Sequence, residues 1–450
     1  MGTRTKKVSH LNLILLISFT SFCFTFYALT KLYLHSSNSS LPLNGVTINC
    51  ALISGVYEKL YESIPAFEKK TGAKVNIVYK ADGFALDKKL KKDFETNSVN
   101  FDVIWDHSSF FSQYIPYLEP LDKYFSQEDL VDFLPGLLNT GRKDDHLWQI
   151  PRQADISALY YRTDLFNDPV EKAAFKKKYG KDLKVPETYD EFLQTAIFFS
   201  RDTTLYGTQF PGKEEALTGR FYELLVAFGG NFLTSEGSAN FNTTSGINAA
   251  LFLKKLYASG AMPPDTMNYL WDDVIKNFKS GNVAMYMECY DWFSFLQNPK
   301  TSDVAGKFDI ARQPSGPTGI HGGWGGLHGF SITKSSKNPK AAAELIKFLT
   351  NSENQYAQGK LGFLPTRKSV WDKLIHDSSS SKDPLVKKRL ELAKLQLSED
   401  FITPPLMAEW IPASNLLYPK LQSIILGDED AQTALDEVAS EINKLLDKSK

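Results

Sequence analysis

Cysteine is scarce: three in 450 residues, at positions 23, 50 and 289. Cys23 sits inside an apolar N-terminal run, so only Cys50 and Cys289 could meet in a folded body, which rules out a disulfide-built scaffold. The domain reading below puts these two in different lobes, so both are expected as buried free thiols. Histidine is also sparse, at seven residues, with no H-E-x-x-H and no Cys/His grouping of metal-ligand spacing. No metal site and no cofactor are expected. The chain lacks a G-x-S-x-G elbow, which leaves His321-Gly322-Gly323, otherwise like an oxyanion-hole loop, without a nucleophile to serve. Gly207 and Gly212-Lys213 have phosphate-loop spacing, but Glu214 replaces the magnesium-binding hydroxyl and Pro211 removes a backbone donor. Net charge is nearly absent, with 51 Lys and Arg against 52 Asp and Glu. No overall field favours nucleic acid, so an uncharged ligand, or a charge met locally, is expected. The adjacent carboxylates Asp144/Asp145 and Asp272/Asp273 read as solvated turns rather than as a glycosidase pair.

What is present is an ordinary globular composition, 42% apolar and 23% charged, long enough for two lobes with separate cores. Aromatics reach 13%, and Trp and Tyr suit a cleft because each offers a flat apolar face with a polar tip. At the N-terminus, Arg4, Lys6 and Lys7 precede an uncharged stretch from Leu11 to Thr30, followed by Lys31 and a polar linker. This pattern is an export signal or a membrane anchor. The run exceeds the roughly 7–15 apolar residues of a cleavable signal and no small-x-small site follows, which favours an uncleaved anchor over 1–35 and a linker over 36–45. Phe22 is too bulky before Cys23 for a lipidation box. The basic residues stay in the cytoplasm and the body lies outside it.

From Val46 the pattern alternates between strand and helix. Val46 to Ile53 reads as a strand; Tyr57, Leu60, Tyr61, Ile64 and Phe67 keep helical spacing; Thr71-Gly72 ends that helix; Lys74 to Tyr79 alternates as a strand. A helix near Leu86 to Phe94 leads to the apolar run Phe101 to Trp105. This rhythm implies an open α/β sheet, whose ligands bind beyond the carboxyl ends of strands. Further strands are expected at Ile156 to Tyr161, Val283 to Glu288 and Gly329 to Thr333, and a terminal helix at Ala431 to Leu446.

Several short segments occur in an order that resembles the bacterial extracellular solute-binding proteins of the maltose-type, sugar-binding branch of ABC importers. They are Ala66 to Val75 (AFEKKTGAKV), Phe101 to Trp105 (FDVIW), Tyr117 to Leu121 (YLEPL), Ile150 to Asp155 (IPRQAD) running on to Tyr160 to Phe166 (YYRTDLF), Pro186 to Phe192 (PETYDEF) and Leu364 to Arg367 (LPTR). The resemblance extends from about residue 46 to 446. It implies a two-lobed periplasmic-binding-protein fold, type II-like, with lobe one at 46–155 plus 308–370 and lobe two at 156–307 plus 371–450. It also implies a sugar held between the lobes, a permease with its ATPase as partner, a monomeric receptor and no enzymatic activity. A tethered sensor is the alternative in another class, and a carbohydrate-active enzyme a lesser one.

A sugar needs flat apolar surfaces and fixed donors and acceptors. Trp105-Asp106, at a strand end, supplies one stacking ring and one acceptor. The resemblance makes Gly322 to Gly326 a glycine-rich ligand loop, with Gly323 opening the backbone to ligand and Trp324 as an exposed platform, and makes Asp155 a polar hinge-side contact. Tyr57 and Glu58 in the first loop, Glu288, Asp291 and Trp292 after a second-lobe strand, and Trp410 complete the candidates. Relatives carry a ligand-binding arginine in the late Pro-rich region, whereas Thr403 to Met407 (TPPLM) has none.

Overall fold

The computed structural model describes residues 41–201, 204–381 and 385–448. The expected anchor over 1–35 and the first half of the linker, 36–40, lie outside the described residues; among those described, no helix is long and apolar enough to cross a membrane.

The strands are β1 (Thr47–Ile53), β2 (Lys74–Ala81), β3 (Val103–His107), the short pair β4 (Arg142–Lys143) and β5 (His146–Leu147), then β6 (Ile150–Arg162), β7 (Met285–Cys289), β8 (Phe308–Ala311), β9 (Gly323–Ile332), β10 (Leu364–Pro365) and β11 (Phe401–Ile402). The main path runs β10-β6-β9-β3-β1-β2. β1 lies parallel to β2 and β3, whereas β9 is antiparallel to both β3 and β6. Apolar runs in β1 and β3 make them central strands. The alternating β2 is the edge, with Ile77 and Val78 exposed.

Helix ends follow local chemistry. Gly72 takes φ 78° and stops the helix Ile64–Thr71, because a residue without Cβ enters the left-handed region freely. Asp82 caps Gly83–Glu95 by accepting from the amides of Phe84 and Ala85 at 3.1 and 3.0 Å. The single helix expected from Tyr57 to Phe67 is instead a 3-10 segment, Gly55–Ser63, followed by the α-helix Ile64–Thr71.

Two large cores flank the sheet system. One packs β1 and β3 against the helix Pro339–Leu349. The other is helical, built from Glu214–Ala227, Thr244–Ala258, Trp410–Leu426 and Ala431–Asp447. The 13-residue β6 connects them: Ile150 to Ile156 pairs with β9, and Ser157 to Arg162 continues onto β7 and β8. A third cluster, with Tyr160, Tyr286, Phe308 and Trp371, packs along that second stretch. β8, whose residues the sequence division groups with lobe one, therefore pairs on the same length of β6 as β7. Cys50 is a buried free thiol; Cys289 is also free but half-buried, because it ends β7 at the space between the cores. That corrects its expected full burial.

Candidate functional site

Between the two cores lies a cavity of about 410 Å³, within the size range of small-molecule sites. One wall comes from β3. Side chains alternate along a strand, so Trp105 and His107 face the cavity together while Asp106 points the other way. Asp106 is 1% exposed and accepts from Ser331 Oγ at 2.7 Å and from the Gln149 amide. Burial pushes its carboxyl up to about 7 against those hydrogen bonds. Asp106 is bonded inside the protein and does not line the cavity, contrary to its expected place at the ligand.

The floor is where β6 meets β9. Asp155 stands opposite Gly326, accepts its amide hydrogen, and lies 3.4 Å from His328 Nε2. A Cβ on Gly326 would lie 2.0 Å from His107 Nε2, so glycine is required for the His107 ring to reach Asp155. Burial alone would raise the Asp155 carboxyl. The hydrogen bonds from His328 and the Gly326 amide outweigh it and hold Asp155 below the usual carboxylate range.

His107, Asp155 and His328 bring one ligand atom each within 4.8 Å of one another, a grouping of metal-ligand residue types that sequence spacing did not reveal. The tautomer argues against ligation. His107 Nδ1 accepts the Ser109 amide hydrogen at 3.2 Å, so Nε2 carries the ring hydrogen and is a donor. Burial, reinforced by His328, pushes His107 down to about 3 and keeps it neutral.

β7 leads into the opposite wall. Asp291 accepts from Gln153 Nε2 at 2.9 Å, while its Oδ1 has no partner among the described residues. Burial first, then the Asp155 charge, push Asp291 well above the usual range, against the pull of Arg152. Arg152 lies behind the wall, over the rings of Tyr57 and Phe363 at 5.6 and 5.7 Å. Glu215 accepts from Trp410 Nε1 at 2.6 Å, and burial raises its carboxyl.

Of the expected residues, Trp105, Asp155, Tyr57, Asp291, Trp292 and Trp324 line this one cavity. Trp324 does so differently from expectation. It belongs to strand β9, not a loop, and its ring packs on the helical core beside Tyr222 and Trp410, at centroid distances of 6.0 and 5.8 Å. Gly219 makes room for it: a Cβ there would lie 2.5 Å from the indole. The glycines around Trp324 likewise admit protein rather than ligand, since a Cβ on Gly323 would meet Ile156 Cδ1 at 2.8 Å and one on Gly325 the Asp155 carbonyl at 2.1 Å.

Besides Asp106, four candidates stand elsewhere. Glu58 turns outward to Lys80 at 2.5 Å. Glu288 is 2% exposed beside Arg220 and Glu223, where burial pushes it up to about 7. Trp410 is fully buried in the helical core, and Gly323 pairs with Phe401 at the start of β9. Sequence reading missed His107, His328, Glu215, Phe84 and Trp271. Only His107, two residues beyond Trp105 on the same strand face, carried a usable signal.

The rings of Phe84 and Trp271, from opposite sides of the cavity, stack across its mouth at 6.5 Å. Trp105 Nε1 and His328 Nδ1, on residues 3% and 4% exposed, have no hydrogen-bond partner among the described residues. The arrangement is an aromatic-walled cavity, open at its mouth, with unpartnered polar atoms buried in its walls.

Known proteins share this architecture. The chain is 26% identical over 334 residues to a binding protein of Brucella abortus (strain 2308), covering 73% of this chain and 75% of that one. It is 24% identical over 313 residues to the galactooligosaccharide-binding protein of Bacillus subtilis (strain 168), covering 66% and 65%. The solved structure of maltose-bound MalE3 from T. maritima superposes with a TM-score of 0.74 at 25% identity, over 89% of this chain and all of that one. The likeness bears out the two-lobed α/β fold. The family model for bacterial extracellular solute-binding proteins matches residues 52–356, and with the two-lobed fold and its cavity already in place, the chain belongs to that family.

Proposed function

We propose that this protein is the receptor of an ABC importer and binds a saccharide between its lobes without altering it. Family membership makes it an extracytoplasmic solute-binding protein. The observation that carries the saccharide reading is the lining: Trp105, Trp271 and Trp292 offer flat faces, and the carboxyl groups of Asp155 and Asp291 stand beside them as acceptors for sugar hydroxyls. The sugars in the names of the Bacillus subtilis relative and the T. maritima structure support it.

In this reading, lobe one is 46–155 plus 312–370 and lobe two is 156–311 plus 371–450, β8 going with β7, and β6 is the main hinge. Trp105, Asp155, Tyr57, Asp291, Trp292 and Trp324 contact ligand. Ligand touching both walls stabilises the closed state by its differential contacts, and the permease reads closure. The receptor acts as a monomer, tethered by its N-terminal segment.

A thermal-shift screen of the full chain over mono-, di- and oligosaccharides, followed by calorimetry and product analysis, tests this. A true ligand at about 100 times Kd adds about 2.7 kcal/mol to folded stability, and should be recovered unchanged. Shifts with amino acids or peptides but no saccharide, or recovery of a cleaved sugar, would overturn the reading.

A further inference from the structure

The cavity lining is one-sided in charge. Asp82, Asp155, Glu215, Asp272 and Asp291 contribute carboxyl groups, and no lysine or arginine is among the residues that line it. This contrasts with the near balance of the whole chain, 51 basic against 52 acidic residues, so the asymmetry belongs to the cavity. The buried cation Arg152 is not part of the lining: it lies over the Tyr57 and Phe363 rings, and its pull on Asp291 is outweighed by burial and the Asp155 charge. His107 supplies no compensating charge, being held neutral.

We infer that the ligand carries a protonated amine, seated between Asp155 and Asp291 against the aromatic wall; with the saccharide reading above, on which the sugar part rests, this makes it an amino-sugar. Two carboxylates that share a low-dielectric site repel, and without a cation one of them takes up a proton. That is the arrangement seen: Asp155 is held ionised by its partners, and Asp291 is pushed toward its neutral form partly by the Asp155 charge. An ammonium group between them lets both ionise. Asp291 lines the cavity and its buried Oδ1 lacks a partner among the described residues, whereas Asp155 already uses its oxygens on Gly326 and His328. Trp105 and Trp292 add ring faces, and aromatic faces attract cations as well as sugar C–H groups. A neutral sugar would leave Asp291 in its neutral form.

Calorimetry of the full chain with matched β-1,4-linked disaccharides and trisaccharides separates the cases: glucosamine oligomers with free amines, their N-acetylated counterparts, plain glucose oligomers, and spermidine as an amine without a sugar. The free-amine sugars should bind at least tenfold more tightly than the matched neutral ones. That margin should shrink with added salt and on acidification, as Asp291 protonates, and should disappear in Asp291→Asn, a variant of the same shape whose melting temperature checks its folding. Equal or tighter binding of the neutral sugars, or no binding by any amine-bearing compound, overturns the inference while leaving a sugar receptor intact if neutral sugars bind. Binding of spermidine with no binding of any sugar keeps the amine site and overturns the saccharide reading.

Discussion

Asp106 and Asp155 show how one carbon skeleton takes two roles. Both lie on strands that converge on β9, yet Asp106 faces a closed polar pocket of Gln149 and Ser331, and Asp155 faces the cavity. Asp106→Asn should therefore leave ligand affinity within about twofold, because the group never meets ligand. Its effect belongs to stability. The folded-state carboxyl lies at about 7, above the roughly 3.9 of an unfolded aspartate, so folding favours its protonated form. That stability is full below about pH 4 and is lost as pH rises through about 7. Melting curves of both proteins from pH 4 to 8 should show the wild type losing ground to the Asn variant across that window. A constant difference over the whole range would show that Asp106 does not titrate there, and a large loss of affinity would return it to the binding site.

At the scale of elements, the contact between β9 and the helix Glu214–Ala227 places Trp324. Gly219 lies mid-helix, where alanine normally stabilises by about 1 kcal/mol. Here its Cβ would lie 2.5 Å from the Trp324 indole, so Gly219→Ala should instead destabilise by roughly 1–3 kcal/mol through overpacking. It should also weaken ligand binding by displacing the ring. Trp324→Ala should cost both quantities: about 1–3 kcal/mol of binding from the lost face, and about 2–4 kcal/mol of folding from the packing given up beside Tyr222 and Trp410. Denaturant melts paired with calorimetry on both variants check this. A stabilised Gly219→Ala protein would mean that the ring moves aside freely.

For the whole molecule, the relevant contact is the Phe84–Trp271 stack, which joins the two sides of the cavity at its mouth. The pair contributes to the closed arrangement and little to either core, since Phe84 is 51% exposed even here. Phe84→Ala should speed ligand release about fivefold to thirtyfold, equivalent to roughly 1–2 kcal/mol of closed-state stability, with the melting temperature of the unliganded protein nearly unchanged. Stopped-flow release and solution scattering with and without ligand would measure it. Unchanged release with unchanged compaction would show that the stack does not hold the lobes together.

The sequence by itself determined the local elements and the family. Hydrophobic periodicity gave β1, β2, the helix Gly83–Glu95 and the terminal helix Ala431–Asp447 to within a few residues, because these patterns are set by near neighbours along the chain. Ordered motifs gave the two-lobed fold and the hinge-side Asp155, and strand-end position brought Trp105 to the cavity. What only the tertiary structure decided was direction and company. Asp106 and Trp105 are adjacent in sequence and opposite in space, since a strand turns successive side chains to opposite faces and only the packing of β9 says which face is the cavity. Phe84, Glu215 and Trp271 entered the site from segments far apart in the chain, with nothing local to mark them. The glycines around Trp324, read as space for ligand, are space for Ile156, the β6 backbone and His107, a close approach between elements that no single segment encodes.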